Sequence, residues 1–188
     1  DWSSDVCSSD LSLIATGGYG RQELNPGSDI DILFLEAGGV IREDGSTPLS
    51  ALPTAFIQFL FDMGLEPGDR AVRTIEQCVK LCTDDMETKT SLLEARFIAG
   101  DEALFRRLQT ALHQRCLKGR EDSYITARLA DQGLRRAKYG NSACMQEPNI
   151  KNGVGGLRDY QNLLWMALVK YGVGGLQDFE QHDLLSGE

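Results

Sequence analysis

Two neighbouring segments organise the chain: Gly17-Gly18-Tyr19-Gly20-Arg21 and Ser28-Asp29-Ile30-Asp31-Ile32-Leu33-Phe34-Leu35. The run 30–35 is rich in β-branched and aromatic residues, which is typical of a buried strand. Because successive side chains of a strand point to opposite faces, Asp29 and Asp31 are predicted to share a face. A second short apolar run, 13–16, ends at the glycine pair. The sequence therefore predicts two strands joined through a glycine turn, with two carboxylates on one side.

This combination is suited to a metal-bound nucleoside triphosphate. Two adjacent carboxylates repel each other unless a cation lies between them, and their hard oxygens suit Mg²⁺, which usually also binds substrate phosphates. Gly17 and Gly18 allow close approach of the backbone to phosphate oxygens, and Arg21 and Ser28 are candidate donors to the same phosphates. An isolated Asp-x-Asp is common in proteins without metal, but the glycine pair at this separation makes the pattern far more specific.

The whole motif from Gly17 to Leu35 resembles the active-site signature of the bacterial PII uridylyltransferase/uridylyl-removing enzyme family, within the DNA polymerase β-like nucleotidyltransferase superfamily. The resemblance implies an α+β fold, with a small mixed β-sheet nucleotidyltransferase core followed by an all-helical domain. It also implies Mg²⁺-dependent transfer of UMP from UTP to a tyrosine of the PII signalling protein. Asp29 and Asp31 would be the catalytic metal ligands.

The superfamily usually has a third carboxylate on a strand beside the aspartate pair. Related sequences commonly carry Gly-His-Ser/Ala-Val-Arg-Thr there, whereas this chain has the one-residue-longer Gly68-Asp69-Arg70-Ala71-Val72-Arg73-Thr74. Asp69 is the candidate for the third catalytic carboxylate and Glu66 is the alternative. Asp69 could equally be a solvated turn residue.

A second motif lies far along the chain: Glu147-Pro148-Asn149-Ile150-Lys151-Asn152-Gly153-Val154-Gly155-Gly156-Leu157-Arg158-Asp159. Its proline and glycines predict an ordered loop before a helix over 157–169, and the N–H groups of Gly155 and Gly156 would form an anion site. The alternative is a helix cap with Arg158 and Asp159 paired locally. The motif also resembles the uridylyltransferase family, with Val154 in place of the usual proline. By that resemblance, Lys151 and Arg158 are candidates for reaching the nucleotide phosphates.

Helical periodicity and glycine stops predict the remaining organisation. Helices are expected over 49–63, 74–82, 86–99, 101–118 and 122–139, and the basic turn 135–138 is attributed to a solvated face. Residues 1–11 back-translate to a common short-read sequencing adapter, so they are set aside. The predicted domains are then a nucleotidyltransferase core over 12–82 and a helical domain over 83–188, each truncated at its outer end. The family's hydrolase and ligand-sensing domains are expected to lie outside this chain.

Composition excludes some classes of protein. The net charge of −9 argues against non-specific nucleic-acid binding, and no apolar run approaches the roughly 20 residues of a transmembrane helix. Outside the first eleven residues the cysteines are Cys78, Cys82, Cys116 and Cys144, which lack zinc-site spacing and predict buried free thiols in a reducing cytoplasm. Two alternatives stay open: an adenylyltransferase-like or stand-alone nucleotidyltransferase, and a non-catalytic module that binds a nucleotide or PII.

Overall fold

The computed structural model describes residues 10–38, 51–144 and 146–184. The chain forms two compact units, Asp1–Cys116 and Leu117–Glu188. The first unit contains a β-sheet, and every regular element described in the second unit is a helix. The predicted α+β class, a small mixed sheet followed by helices, is therefore confirmed.

The sheet has four strands in the order β3-β2-β1-β4. Their bounds are Leu11–Ala15 for β1, Ile30–Glu36 for β2, Pro67–Thr74 for β3 and Arg96–Gly100 for β4. β1 pairs antiparallel with both β2 and β4, whereas β3 runs parallel to β2. The aspartate-bearing strand is therefore an inner strand, with the strand that leads into the glycine turn on one side and β3 on the other.

Helices of the first unit are α1 Gly17–Gly20, α2 Ala51–Asp62, α3 Ile75–Asp84, α4 Met86–Leu93 and α5 Glu102–Leu112, followed by a π-helical turn over His113–Leu117. The second unit contains α6 Glu121–Tyr139, α7 Leu157–Tyr171 and α8 Leu176–Gln181. Thr74 caps α3 by accepting from the Gln77 N–H, and the Gln77 side chain accepts from the Thr74 N–H, which is a capping box.

Both faces of the sheet are covered, which explains the continuous apolar run of β2. Leu33 and Leu35 face the larger core, with residues of α3 and α5. Ile32 and Phe34 face the opposite way, into a cluster with Leu60 of α2. Alternation along the strand places Asp31 on the side of Leu33, at the end of the larger core.

One predicted helix is wrong. Residues 86–99 form the short helix α4 and then strand β4, which pairs with β1 and completes the sheet. Pairing with β1 satisfies the backbone of this segment, and tertiary context of this kind overrides local helical spacing. The helices predicted over 74–82 and 122–139 are confirmed as α3 and α6.

The unit that contains the sheet extends well beyond residue 82, because α4, β4 and α5 belong to it. The limits predicted for the functional domains, at 82 and 83, stay a prediction.

Residues 1–9 lie outside the described part, so the adapter interpretation also stays a prediction there. Leu11, which was set aside with them, lies in β1 opposite Glu36, and Asp10 accepts a hydrogen bond from the Ala37 N–H.

Candidate active site

The two predicted aspartates lie together beside Gly68. Asp29 immediately precedes β2 and Asp31 lies within it. A Cβ added to Gly68 would collide with Oδ1 of Asp31 and lie 3.1 Å from Cβ of Asp29. Both side chains therefore project to the same side of the sheet, as strand alternation predicts. The two carboxylates concentrate negative charge at the start of the apolar strand β2.

Glycines enclose the Asp31 carboxylate from two sides. A Cβ on Gly17 would lie 2.5 Å from Oδ2 of Asp31, and a Cβ on Gly68 would collide with Oδ1. Gly17 also has φ of 55°, a left-handed conformation that favours glycine. Only the absence of these two side chains lets the carboxylate lie against the backbone of the glycine turn and of β3.

A paired substitution tests this contact. Gly17→Ala is expected to lower the free energy of unfolding by about 1–3 kcal/mol, because alanine adopts this φ with strain and its Cβ must displace Asp31. Gly18→Ala is the matched control, since its Cβ would lie 3.8 Å from the nearest atoms. Urea unfolding followed by circular dichroism measures both. An equal loss in the two variants would contradict a specific Gly17–Asp31 contact.

The glycine turn is held from behind by Arg96, at the start of β4. Its guanidinium donates from Nη2 to the Tyr19 carbonyl at 3.0 Å and from Nε to the Gly20 carbonyl at 3.3 Å. It also stacks over the Tyr19 ring, 5.3 Å from the centroid. In front, the Thr16 N–H donates to the Asp31 carbonyl at 3.0 Å. Sequence reasoning missed Arg96 because it assigned this segment to a helix.

Arg21 has carboxylate partners within the protein. It donates from Nη1 to Glu94 at 2.5 Å and from Nε to Glu23 at 2.9 Å, and the Glu94 side chain is only 7% exposed. These ion pairs tie the end of α1 to the α4–β4 junction. Donation from Arg21 to a phosphate stays a prediction.

The other predicted residues of this site are only partly described. Ser28 is exposed, and its N–H donates to the Asn25 carbonyl at 3.0 Å. Asp69 lies in β3, but its side chain is outside the described part. Within 10–38, 51–144 and 146–184, no three His, Cys, Asp or Glu side chains form a group that could hold a metal ion. The third carboxylate therefore stays a prediction, with Asp69 and Glu66 both open.

A cleft of about 450 Å³ opens beside Asp29, at the turn from α2 to β3. Its lining residues are Asp29, Phe61, Gly64, Leu65, Glu66, Pro67 and Gly68. The Glu66 carbonyl accepts from the Ile30 N–H at 2.9 Å, which fixes this turn against the start of β2. The volume is within the range of small-ligand and side-chain pockets.

In the second unit, Asp159 joins the predicted loop to α6. Its Oδ1 accepts from Arg135 at 2.5 Å and from Gln132 at 3.0 Å. Its Oδ2 accepts from Arg136 at 2.8 Å and from the Gly155 N–H at 3.0 Å. Partial burial alone raises the pKa of this carboxyl, but the hydrogen bonds outweigh it and hold the pKa well below its usual range.

This cluster changes two interpretations of the sequence. The Gly155 N–H bonds to Asp159 and the Gly156 N–H to the Gly153 carbonyl, so the predicted anion site is occupied by the protein's own groups. The basic turn is only in part a solvated face, because Lys138 is exposed whereas the Arg135 side chain is 9% exposed and paired with Asp159. The structure agrees better with the alternative interpretation, a helix cap. Asp159, however, pairs with arginines of α6 rather than with Arg158.

Comparison with known proteins agrees with both motifs. A family model described as GlnD PII-uridylyltransferase matches residues 123–188, which include the Asp159 cluster. The bifunctional uridylyltransferase/uridylyl-removing enzyme of Burkholderia vietnamiensis is 43% identical over 158 residues, 84% of this chain and 17% of the relative. That of Nitrosococcus oceani is 39% identical over 180 residues, 96% of this chain and 19% of the relative. The chain belongs to this family.

The match to the uridylyltransferase/uridylyl-removing family reaches the aspartate motif as well. An alignment over 180 of the 188 residues necessarily includes residues 17–35. The chain spans less than a fifth of the length of these curated relatives. Similarity at this level extends through both compact units.

The family resemblance also assigns Lys151 and Arg158 as candidates for reaching the nucleotide phosphates. Both residues lie in the second unit. Lys151 is exposed, and its N–H donates to Oδ1 of Asn149 at 3.1 Å. Arg158 donates to Oε1 of Gln161 at 3.0 Å and lies over the Trp165 ring, 5.6 Å from the centroid. Their contact with nucleotide phosphates stays a prediction.

The four cysteines in the described part of the chain are free, as predicted, but not all are buried. Cys78, Cys82 and Cys116 are buried, whereas Cys144 is exposed. Burial raises the pKa of the Cys78 thiol to about 11 and, together with the neighbouring Cys116, that of Cys82 to about 12. These two thiols stay protonated at neutral pH and serve as core residues.

Proposed function

We propose that this chain carries the transferase site of a PII uridylyltransferase, moving UMP from UTP to a tyrosine of a PII signalling protein. The observation that carries the proposal is the position of Asp29 and Asp31, side by side against Gly68 and next to the glycine turn. This is the arrangement that a metal-bound triphosphate needs: paired hard-oxygen ligands on a rigid strand, with backbone donors nearby.

The donor set fits Mg²⁺. Asp29 and Asp31 would hold the ion through carboxylate oxygens, and glycine at positions 17 and 68 lets the backbone come close to the Asp31 carboxylate. When bound, the ion would neutralise phosphate charge and polarise the α-phosphate. Gly17 and Gly18 would donate from their N–H groups to phosphate oxygens, while Ser28 and Arg21 are further candidate donors.

The reaction forms one bond and breaks one. The acceptor hydroxyl oxygen attacks the α-phosphorus in line, and the bond from that phosphorus to the bridging oxygen breaks, releasing pyrophosphate. The hydroxyl proton passes to a carboxylate, for which Asp69 and Glu66 are the candidates. The ion pair of Arg21 with Glu94 and the bonds from Arg96 keep the turn in place while the charge on the phosphates changes.

Nucleotide binding tests the proposal. UTP, ATP, CTP and GTP are titrated with Mg²⁺ into the chain and into an Asp29→Asn/Asp31→Asn variant. UTP preference that the variant loses is the expected result, and transfer to purified PII protein is then assayed. Preference for ATP would favour the adenylyltransferase-like alternative. Absence of binding by folded protein would favour a non-catalytic module.

The same titration uses Gly18→Ala as a probe of close approach. Because its Cβ would make only ordinary contacts within the protein, at 3.8 Å, weaker UTP binding would reflect contact with the nucleotide. We further propose a cytoplasmic enzyme with no nucleic-acid or membrane partner. The acidic composition supports this, and none of the described helices has the length and apolar character needed to cross a bilayer.

A further inference from the structure

The cleft at the α2–β3 turn lies on the opposite side of the aspartate strand from the glycine turn. In the sheet order β3-β2-β1-β4, the glycine turn follows β1 and the cleft is built at the start of β3. The strand β2, with its two aspartates, separates them. A ligand held by the aspartates would thus have the glycine turn on one flank and the cleft on the other.

In-line displacement makes these two flanks inequivalent. The attacking oxygen and the leaving oxygen lie on opposite sides of the phosphorus. With pyrophosphate on the side of the glycine turn, the attacking group must arrive from the side of β3. Resting on the function proposed above, we propose that the cleft is the acceptor subsite, and that it receives a protein segment presenting an aromatic hydroxyl.

The lining of the cleft supports an uncharged aromatic occupant. Phe61 is 43% exposed and Leu65 is 36% exposed, so the wall offers apolar surface to a ring. Among the described residues, the ionisable side chains that line it are Asp29 and Glu66, both carboxylates. The negative charge of Glu66 disfavours acidic residues beside the acceptor hydroxyl, whereas it suits a hydroxyl that donates a hydrogen bond.

The geometry also assigns a role within the step. The acceptor oxygen forms its bond to the α-phosphorus as pyrophosphate leaves towards the glycine turn, and the hydroxyl proton passes to a carboxylate. Glu66 is the described candidate, because it lines the cleft together with Asp29. Phe61 and Leu65 are binding residues for the acceptor, and neither is placed among the groups that hold the nucleotide.

Phe61→Ala tests the inference, with Phe59→Ala as the matched control. Both phenylalanines lie on α2 and are exposed, at 43% and 55%, but Phe59 does not line the cleft. Phe61→Ala is expected to raise the KM for PII protein about tenfold, as truncation of an interface aromatic does. Its affinity for UTP with Mg²⁺, measured directly, should stay within about twofold of the parent chain, and Phe59→Ala should change neither.

The outcomes separate this inference from the proposed function. An equal loss of UTP affinity in Phe61→Ala would mean that the cleft holds the nucleotide, and unchanged KM for PII would mean that the acceptor does not use it. Either result overturns the acceptor subsite while leaving the transferase standing. A photo-crosslinking benzophenone side chain placed at position 61, and at 59 as control, adds a readout that needs no turnover. Capture of PII from 61 alone supports the subsite even where transfer fails.

Discussion

Asp31→Asn is expected to reduce uridylyl transfer on the order of 10²–10³-fold while leaving the fold intact. Asparagine matches aspartate in size, so the contacts with Gly17 and Gly68 are kept. The change removes one of two proposed metal ligands and one negative charge beside Asp29. Because asparagine keeps the shape of the side chain at this position, the metal-free variant is expected to fold as the parent chain does.

We would measure uridylyl transfer and thermal unfolding on the same preparation of Asp31→Asn. Together they decide whether Asp31 has a chemical or a structural role. Asp62→Asn is the control, because Asp62 does not line the cleft beside Asp29, and its Oδ1 accepts a hydrogen bond from Gln58 at 2.9 Å. Activity should be unchanged in the control. Unfolding of Asp31→Asn, or retention of full activity, would contradict the assignment of Asp31 as a ligand.

Asp159→Asn is expected to cause the largest loss of stability, about 3 kcal/mol, because it removes the buried charged partner of Arg135 and Arg136. Arg135 and Asp159 are 9% and 12% exposed, so water compensates little. The loop that contains Gly155 also loses its anchor to α7. Unfolding of the second unit is followed by the fluorescence of buried Trp165, in a Trp2→Phe background that removes the other tryptophan.

Asp131→Asn is the matched control for this cluster. Asp131 also lies near Arg135 and Arg128, but at 3.5 Å and with its side chain 52% exposed. Exposed pairs of this kind contribute about 0–1 kcal/mol, so the control should lose little. Equal losses in the two variants would show that the cluster acts through general charge rather than through the buried bonds to Asp159.

Acid should destabilise the parent chain more than Asp159→Asn. Since the folded-state pKa of Asp159 lies below its usual 3.8, its contribution to stability is fully present above the unfolded-state pKa. That contribution is lost as pH falls from there towards the folded-state pKa. The difference in free energy of unfolding between parent and variant should therefore be constant near neutral pH and shrink below about pH 4. A difference that grows with acid would contradict this linkage.

Local patterns determined the elements whose periodicity is strong. The run 30–35 favours a buried strand because it is rich in β-branched and aromatic residues, and the helices α3 and α6 follow from the spacing of their apolar residues. Residues 96–99 fall within a predicted helix because their partner β1 lies more than eighty positions away in sequence, and no local signal reports such pairing. The extent of the first unit depended on the same missing information.

The candidate site divides in the same way. Strand alternation and glycine chemistry, read from the sequence, predicted Asp29 and Asp31 on one face and a glycine turn beside them. Only the tertiary structure placed Gly68 against both aspartates, Arg96 behind the turn, and the Phe61 cleft on the opposite flank. It also showed that Asp159 binds arginines of α6 rather than leaving its loop open to an anion. The sequence determines which groups a short segment can present, because alternation and turn conformation are local. Packing decides which groups from distant segments lie beside that short segment, because it brings together residues that no sequence spacing relates.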